Sequence, residues 1–361
     1  MEMVEVGFSG AEVASLRETL FAAASGVRPD DPTARATSAW LAEEGASTIT
    51  NATPWAQHDA NGYPRRVRWV EESPDDLWLV GDLHGDIISL HASLMAIARV
   101  SGPQARIAFL GDYIDRGPCS TAVLLALADR LRAMPDATLL LAGNHDTALR
   151  HWAGDDRFDA RCAPAEYAAE VSATPSGSWQ RELAHGFIRS VAVMPRSVCF
   201  RSGLMLAHAG IPQRDLWPAR LTSREAFEHP DALRDLVWCR ATKARHKDPY
   251  RGGHDSEFGL EDFREFCDWM ATGPIQWPIT TLITGHEHVP ERWYRWPRTD
   301  PYALWTICGL SWRAGEMIGP YARTPVITRI VDGAPVMHRL ALPAALLEDA
   351  AVRAIYEVPQ Q

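Results

Sequence analysis

The sequence predicts an α/β protein whose core is a parallel sheet covered by helices. Five short apolar runs, "LWLV" (77–80), "IAFL" (107–110), "TLLLA" (138–142), "LMLA" (204–207) and "TLIT" (281–284), have the length and aliphatic content of buried strands. Helical periodicity over 87–100 and 119–134 fills the gaps between the first three, which gives strand–helix–strand–helix–strand. Four of the runs stop at Gly followed by Asp, His or Asn, and "LMLA" stops at His208 with Gly210 close behind; the carboxyl ends of strands are where ligands gather in such sheets.

Taken in order, residues 9–26, "SGAEVASLRETLFAAASG", carry a capping box at Ser9 and Glu12, apolar residues at helical spacing and a stop at Gly26. From about 27 to 74 the composition turns to Pro, Asp, Ser, Thr, Asn and Gly, with one helical stretch, "ARATSAWLAEEG". Residues 1–74 therefore read as an accessory segment, 75–340 as the main domain that carries the polar strand ends and 341–361 as a C-terminal tail. Near the end of the middle part, "TPVITRIVDGAPVMHRLAL" reads as two alternating strands about an Asp-Gly turn, and in the tail "PAALLEDAAVRAIYE" reads as a closing helix.

Composition bounds the function. The 361 residues are 46% hydrophobic and 23% charged, as in a globular protein with a sizeable core. A formal net charge of -10, with no basic run, lacks the electrostatic footprint of a nucleic-acid binder. The acidic start "MEMVEVGFSG" and the absence of an apolar run near the roughly 18 residues of a spanning helix argue against export and membrane insertion. Six cysteines without CxxC spacing are expected to be reduced thiols in a cytoplasmic protein.

Five strand ends supply "GDLHGD" (81–86), "GDYIDRG" (111–117), "GNHD" (143–146), "HAG" (208–210) and "GHEH" (285–288), and their side chains are expected to converge at one edge of the sheet. Carboxylate oxygen, imidazole nitrogen and an amide carbonyl, without thiolates, suit a pair of divalent ions, with Mn²⁺ expected first and Fe or Zn²⁺ also compatible. Two such ions roughly 3.5–4 Å apart lower the pKa of a shared water from 15.7 towards about 7, which makes hydroxide available as a nucleophile at neutral pH.

"GDLHG", "GDYIDRG" and "GNHD", about thirty residues apart, resemble the motifs of the calcineurin-like metallophosphoesterases, and within them the phosphoprotein phosphatase family of bacterial Ser/Thr type, over roughly residues 75–335. The resemblance implies a central β-sandwich of mixed sheets flanked by helices, in α/β/β/α layers. It also implies that Asp82 and His84 hold a first metal, that Asp112 bridges, and that Asn144, His208 and His286 hold the second. Arg116 would grip phosphate oxygens with Asn144 beside it, and His145, oriented by Asp115, would protonate the leaving alkoxide. "LVWCR" (236–240) and "YRGGHDSEFG" (250–259) resemble two further family segments, which would make Arg251 a second phosphate-binding arginine.

Three departures bear on substrate. "HAG" stands where the family has HGG, a change shared with phosphatases of the diadenosine tetraphosphate type. The second histidine of "GHEH", His288, reads either as a ligand of the first metal, as in diesterases of the superfamily, or as an outer residue. "CGLSWRAGE" (308–316) puts Arg313 in place of a family tyrosine. The function implied is hydrolysis of phosphoserine and phosphothreonine in proteins, with phosphotyrosine not separated from them. The alternatives are a diadenosine-polyphosphate hydrolase or phosphodiesterase, and a non-catalytic phosphopeptide-binding scaffold. His185, His246 and His254 read as structural or surface residues.

Overall fold

The computed structural model describes residues 3–26, 31–52, 55–72, 76–217, 219–312 and 323–356, with the side chain of His254 excepted. Two six-stranded mixed sheets face each other. The first runs, in spatial order, Met3–Gly7, Ala334–Ala341, Val326–Val331, Asp76–Val80, Arg106–Phe109 and Thr138–Leu140. The second runs Trp293–Arg295, Ala303–Ile307, Thr281–Thr284, Leu204–Ala207, Ser197–Phe200 and Val67–Val70.

The side-chain period of two explains the layering. Along Asp76–Val80, Leu77 and Leu79 pack with Leu206, Ile283 and Ile307 of the opposite sheet. Trp78 and Val80 point outward into a separate cluster with Ile88, Val123, Leu127 and Phe187 from the covering helices. Helices Pro230–Trp238 and Leu260–Thr272 cover the outer face of the second sheet through Leu233, Leu236, Phe263 and Phe266. Strands with both faces buried must be apolar throughout, which is why these runs do not alternate.

The layers are those the resemblance implied, but the five apolar strands do not share one sheet. Asp76–Val80, Arg106–Phe109 and Thr138–Leu140 are parallel neighbours in the first, whereas Leu204–Ala207 and Thr281–Thr284 pair in the second. Their polar ends meet because the sheets stack with those edges on the same rim. The Asp-Gly turn closes the Val326–Ala341 hairpin with both residues left-handed, Asp332 at φ 50° and Gly333 at φ 77°.

Strand pairing builds residues from both sides of residue 74 into the same two sheets. Met3–Gly7 extends the first sheet in parallel with Ala334–Ala341, and Val67–Val70 extends the second beside Ser197–Phe200. Leu16, Leu20, Trp40, Leu41 and Ile49 enter the same core as helices Ile87–Ser101 and Ser120–Ala133. The C-terminal residues are likewise built in: Leu346 and Val352 are buried in that core, and the expected closing helix is two short ones, Ala344–Leu347 and Ala350–Tyr356. A five-residue edge strand and a four-residue buried strand carry too little periodicity to stand out from loops. Arg313 lies outside the described residues.

Candidate metal centre

The rim between the sheets is held by backbone contacts among the loops. Leu83 and His84 donate their N–H groups to the Asp112 carbonyl at 3.0 and 2.8 Å, and Gly85 donates to that of Tyr113 at 2.9 Å. Asp146, at the third position of the short helix Asn144–Ala148, accepts from the N–H groups of Asp112, Tyr113 and Gly143 at 2.8, 3.0 and 2.8 Å. That carboxylate ties the "GDYIDRG" and "GNHD" loops together. His84, Asp112, Asp115, Arg116 and His286 all have positive φ, between 41° and 68°. Non-glycine residues in this region carry strain that the surrounding structure must hold, a common feature of functional sites.

The side chains come together in three overlapping groups: Asp82, His84 and His288; His84, Asp112 and His145; and Asp112, His208 and His286. Within each group the potential ligand atoms lie within 4.8 Å of one another. Asp112 Oδ2 sits between two imidazoles, 3.4 Å from both His84 Nε2 and His208 Nε2. Asn144 Oδ1 lies 2.9 Å from His208 Nε2 and 2.9 Å from His286 Nδ1. His288 Nε2 stands 3.2 Å from Asp82 Oδ2.

The outer contacts aim the imidazoles. His84 and His208 each present Nδ1 to a backbone carbonyl, of Ile114 at 2.8 Å and of Leu110 at 2.9 Å, so that Nε2 faces the carboxylates. His286 is approached from the other side by Arg240 Nη2, 3.0 Å from its Nε2. Burial pushes the pKa of His84 and His286 well below the usual histidine value, which keeps them neutral, the form that binds a cation. For His208 burial acts the same way, but the adjacent Asp112 outweighs it and raises the ring to about 9. Burial and Asp112 push Asp146 up to about 7.

These residues fit a pair of divalent cations. Asp82 and Asp112 are buried carboxylates surrounded by imidazoles, without a lysine or arginine ion pair among the described contacts, and a buried charge calls for compensation. His84 Nε2 is buried without a hydrogen-bond partner, pointing into the cluster. The donor set of carboxylates, imidazoles and one amide oxygen is the borderline-hard kind that such ions take.

Beside the cluster, His145 Nδ1 lies 2.8 Å from Asp115 Oδ2, while Asp115 Oδ1 accepts from the Tyr167 N–H at 2.9 Å. His145 Nε2 is buried and has no hydrogen-bond partner. Arg116 Nη1 lies 3.3 Å from His288 Nδ1, at the edge of the first group. Arg251 is not brought here. Its guanidinium is held by Asp235 and Asp215, at 2.9 and 2.7 Å, and these two carboxylates take all of its side-chain hydrogen bonds. The loop 250–259 therefore uses Arg251 to brace itself.

Arg240 reaches the cluster without having been picked out. It closes "LVWCR", and a basic residue ending a segment that otherwise resembles the family was the available signal. Asp146 was equally legible as the third residue of a helix after Gly143, a position whose carboxylate bonds back to the turn. Asp86 caps helix Ile87–Ser101 and accepts from Ser311 and Tyr356. His246 pairs with Asp262, and His185 packs against His151 and Phe158.

Comparison with known proteins places this geometry in a family. A serine/threonine-protein phosphatase of Caenorhabditis elegans is 24% identical over 222 residues, 59% of this chain and 43% of that protein. A symmetrical bis(5'-nucleosyl)-tetraphosphatase of Bordetella pertussis is 29% identical over 189 residues, 49% of this chain and 61% of that one. The chain thus spans less than two thirds of the length of these curated relatives. A solved protein serine/threonine phosphatase from Saccharomyces cerevisiae shares the fold, with a TM-score of 0.58 at 15% identity, covering 85% of this chain and 89% of the other. Residues 76–290, more than half of the sequence and all of the rim loops, match the family described as calcineurin-like phosphoesterase. The chain belongs to the calcineurin-like phosphoesterase family.

Proposed function

We propose that the protein is a two-metal phosphomonoesterase that removes phosphate from serine and threonine, and from tyrosine where it fits, in phosphoproteins. The observation that carries this reading is the juxtaposition, on one buried rim, of overlapping Asp/His groups with a His145–Asp115 pair whose outer nitrogen is unpartnered. The C. elegans relative, named a serine/threonine-protein phosphatase, supports the substrate class.

In this reading Asp82, His84 and His288 would hold one cation and Asn144, His208 and His286 the other, with Asp112 serving both. When bound, the pair supplies Lewis-acid activation of water and neutralises phosphoryl oxygens. The protein's own groups do the rest. Arg116 presents a planar fork to two phosphate oxygens. Asp115 fixes His145 with Nδ1 inward, so that a proton held at Nε2 faces the departing serine or threonine oxygen. Mn²⁺ is our assignment for the metal. Six free cysteines, five of them buried, support a reducing, cytoplasmic setting, and the net charge of -10 supports a phosphoprotein rather than a nucleic-acid partner. No helix among the described residues is long and apolar enough to cross a membrane.

The test is turnover by protein stripped of metal and reloaded with Mn²⁺, Fe²⁺ or Zn²⁺. Phosphoserine, phosphothreonine and phosphotyrosine peptides are compared with diadenosine tetraphosphate and a bis-aryl phosphate. Faster hydrolysis of the peptides supports the proposal. A preference for the dinucleotide, as the name of the B. pertussis relative suggests for that protein, overturns it.

A further inference from the structure

Beside the metal centre lies a cavity of about 500 Å³ lined by Arg66, Arg150, Arg161, Arg196 and Arg234 and by no acidic residue. In a chain of net charge -10 this is a local reversal of sign. Two of its walls continue into the metal centre. Thr147 lines the cavity and belongs to the helix that starts with Asn144 and His145, about 4.5 Å along the axis from Asn144. Trp238 also lines it, two residues before Arg240, which touches His286.

The five arginines are poorly compensated. Arg66 pairs with Glu228 at 3.0 Å. Arg150 and Arg196 donate only to backbone carbonyls, of Thr147 and Leu149 and of Val191 and Met194. The side chains of Arg161 and Arg234 form no ion pair among the described residues. Burial, with repulsion from Arg66 and Arg150 only partly offset by Asp146 and Glu228, pushes the Arg196 guanidinium down to about 10. An oxyanion in the cavity would relieve that repulsion and use the fork geometry that guanidinium groups offer carboxylates and phosphates.

We infer that this cavity is an oxyanion subsite of the substrate groove, which takes a second phosphate or a carboxylate carried by the phosphopeptide a few residues from the phosphoryl group being removed. The inference rests on the phosphoprotein reading above and sharpens it: the preferred substrates are acidic or multiply phosphorylated segments.

The experiment measures kcat/KM of the Mn²⁺-loaded protein on one peptide with a single phosphoserine, with a neighbouring Glu pair, and with a second phosphoserine, beside diadenosine tetraphosphate. The R161A/R234A variant changes two exposed side chains. The doubly phosphorylated and acidic peptides should exceed the plain one by about tenfold at low salt. The advantage should shrink as salt is raised and fall to near unity in the variant. No advantage in the unaltered protein, or one that survives in R161A/R234A, overturns the subsite. A loss confined to diadenosine tetraphosphate overturns the peptide assignment. If no peptide is hydrolysed, the phosphatase reading has failed, and fluorescence anisotropy then tests the subsite separately. Binding of the doubly phosphorylated peptide should still weaken by about tenfold in the variant, and unchanged affinity refutes the cavity's role.

Discussion

Replacing Asp115 with Asn tests the leaving-group chemistry most sharply. Asp115 is buried and uses both carboxylate oxygens, one towards His145 Nδ1 at 2.8 Å and one for the Tyr167 N–H at 2.9 Å. Asn keeps one acceptor and turns an NH₂ against whichever partner it abandons, and it removes the charge from the hydrogen bond that orients the imidazole. Hydrogen bonds to charged groups contribute about 1.5–3 kcal/mol, and at ~1.36 kcal/mol per decade kcat should fall by roughly 10- to 150-fold. The assay pairs a phosphoserine peptide with p-nitrophenyl phosphate on Mn²⁺-loaded protein. An alkoxide leaves poorly without a proton, whereas nitrophenolate needs none, so the peptide should suffer the full loss and the aryl ester little. Metal content and unfolding midpoint serve as controls. Equal loss on both substrates, with metal retained, would show that His145 does not act as the acid.

Asp112→Asn should reduce bound metal from two equivalents to one or none by plasma emission, and lower turnover by more than about 100-fold, because Asp112 Oδ2 stands 3.4 Å from both His84 and His208; two retained equivalents would refute the bridging role. Gly143→Ala should destabilise the fold by ~1–3 kcal/mol in urea unfolding. Its Cβ would fall 2.1 Å from Asp112 Oδ1 and 2.4 Å from the Asp112 N, although φ there is an ordinary -91°. His338, buried beside Trp78 with neither ring nitrogen hydrogen-bonded, has a pKa lowered by burial and then by Arg329. The unfolded chain therefore takes up a proton as pH falls through about 6.5, before the folded one does, and stability declines with it. His338→Leu should lose that part of the slope, seen as a smaller drop in unfolding midpoint between about pH 7.5 and 5.5; an unchanged slope would count against the buried neutral form.

The rim was legible because its parts are local. Asp82 and His84 lie two residues apart after one apolar strand, and Asn144 and His145 are adjacent after another, so the pattern of strand, Gly and ligand sits within a few residues each time. The ion pairs of Arg251 were not legible because its partners are not local: Asp215 and Asp235 lie 36 and 16 residues away in the chain. The Arg-lined cavity was invisible for the same reason, since Arg66, Arg150, Arg196 and Arg234 come from four distant parts of the chain.

By itself the sequence determined the apolar strands, the helices between the first three and the chemistry of each strand end, because a two-residue side-chain period, a 3.6-residue turn and a ligand beside glycine are short-range facts. Only the tertiary structure decided that the strands belong to two sheets, that residues 3–7 and 67–70 complete them, and which arginines face carboxylates and which face a cavity. Those outcomes depend on which buried surfaces and charges meet across the stacked layers, and that pairing is set by long-range packing rather than by neighbours along the chain.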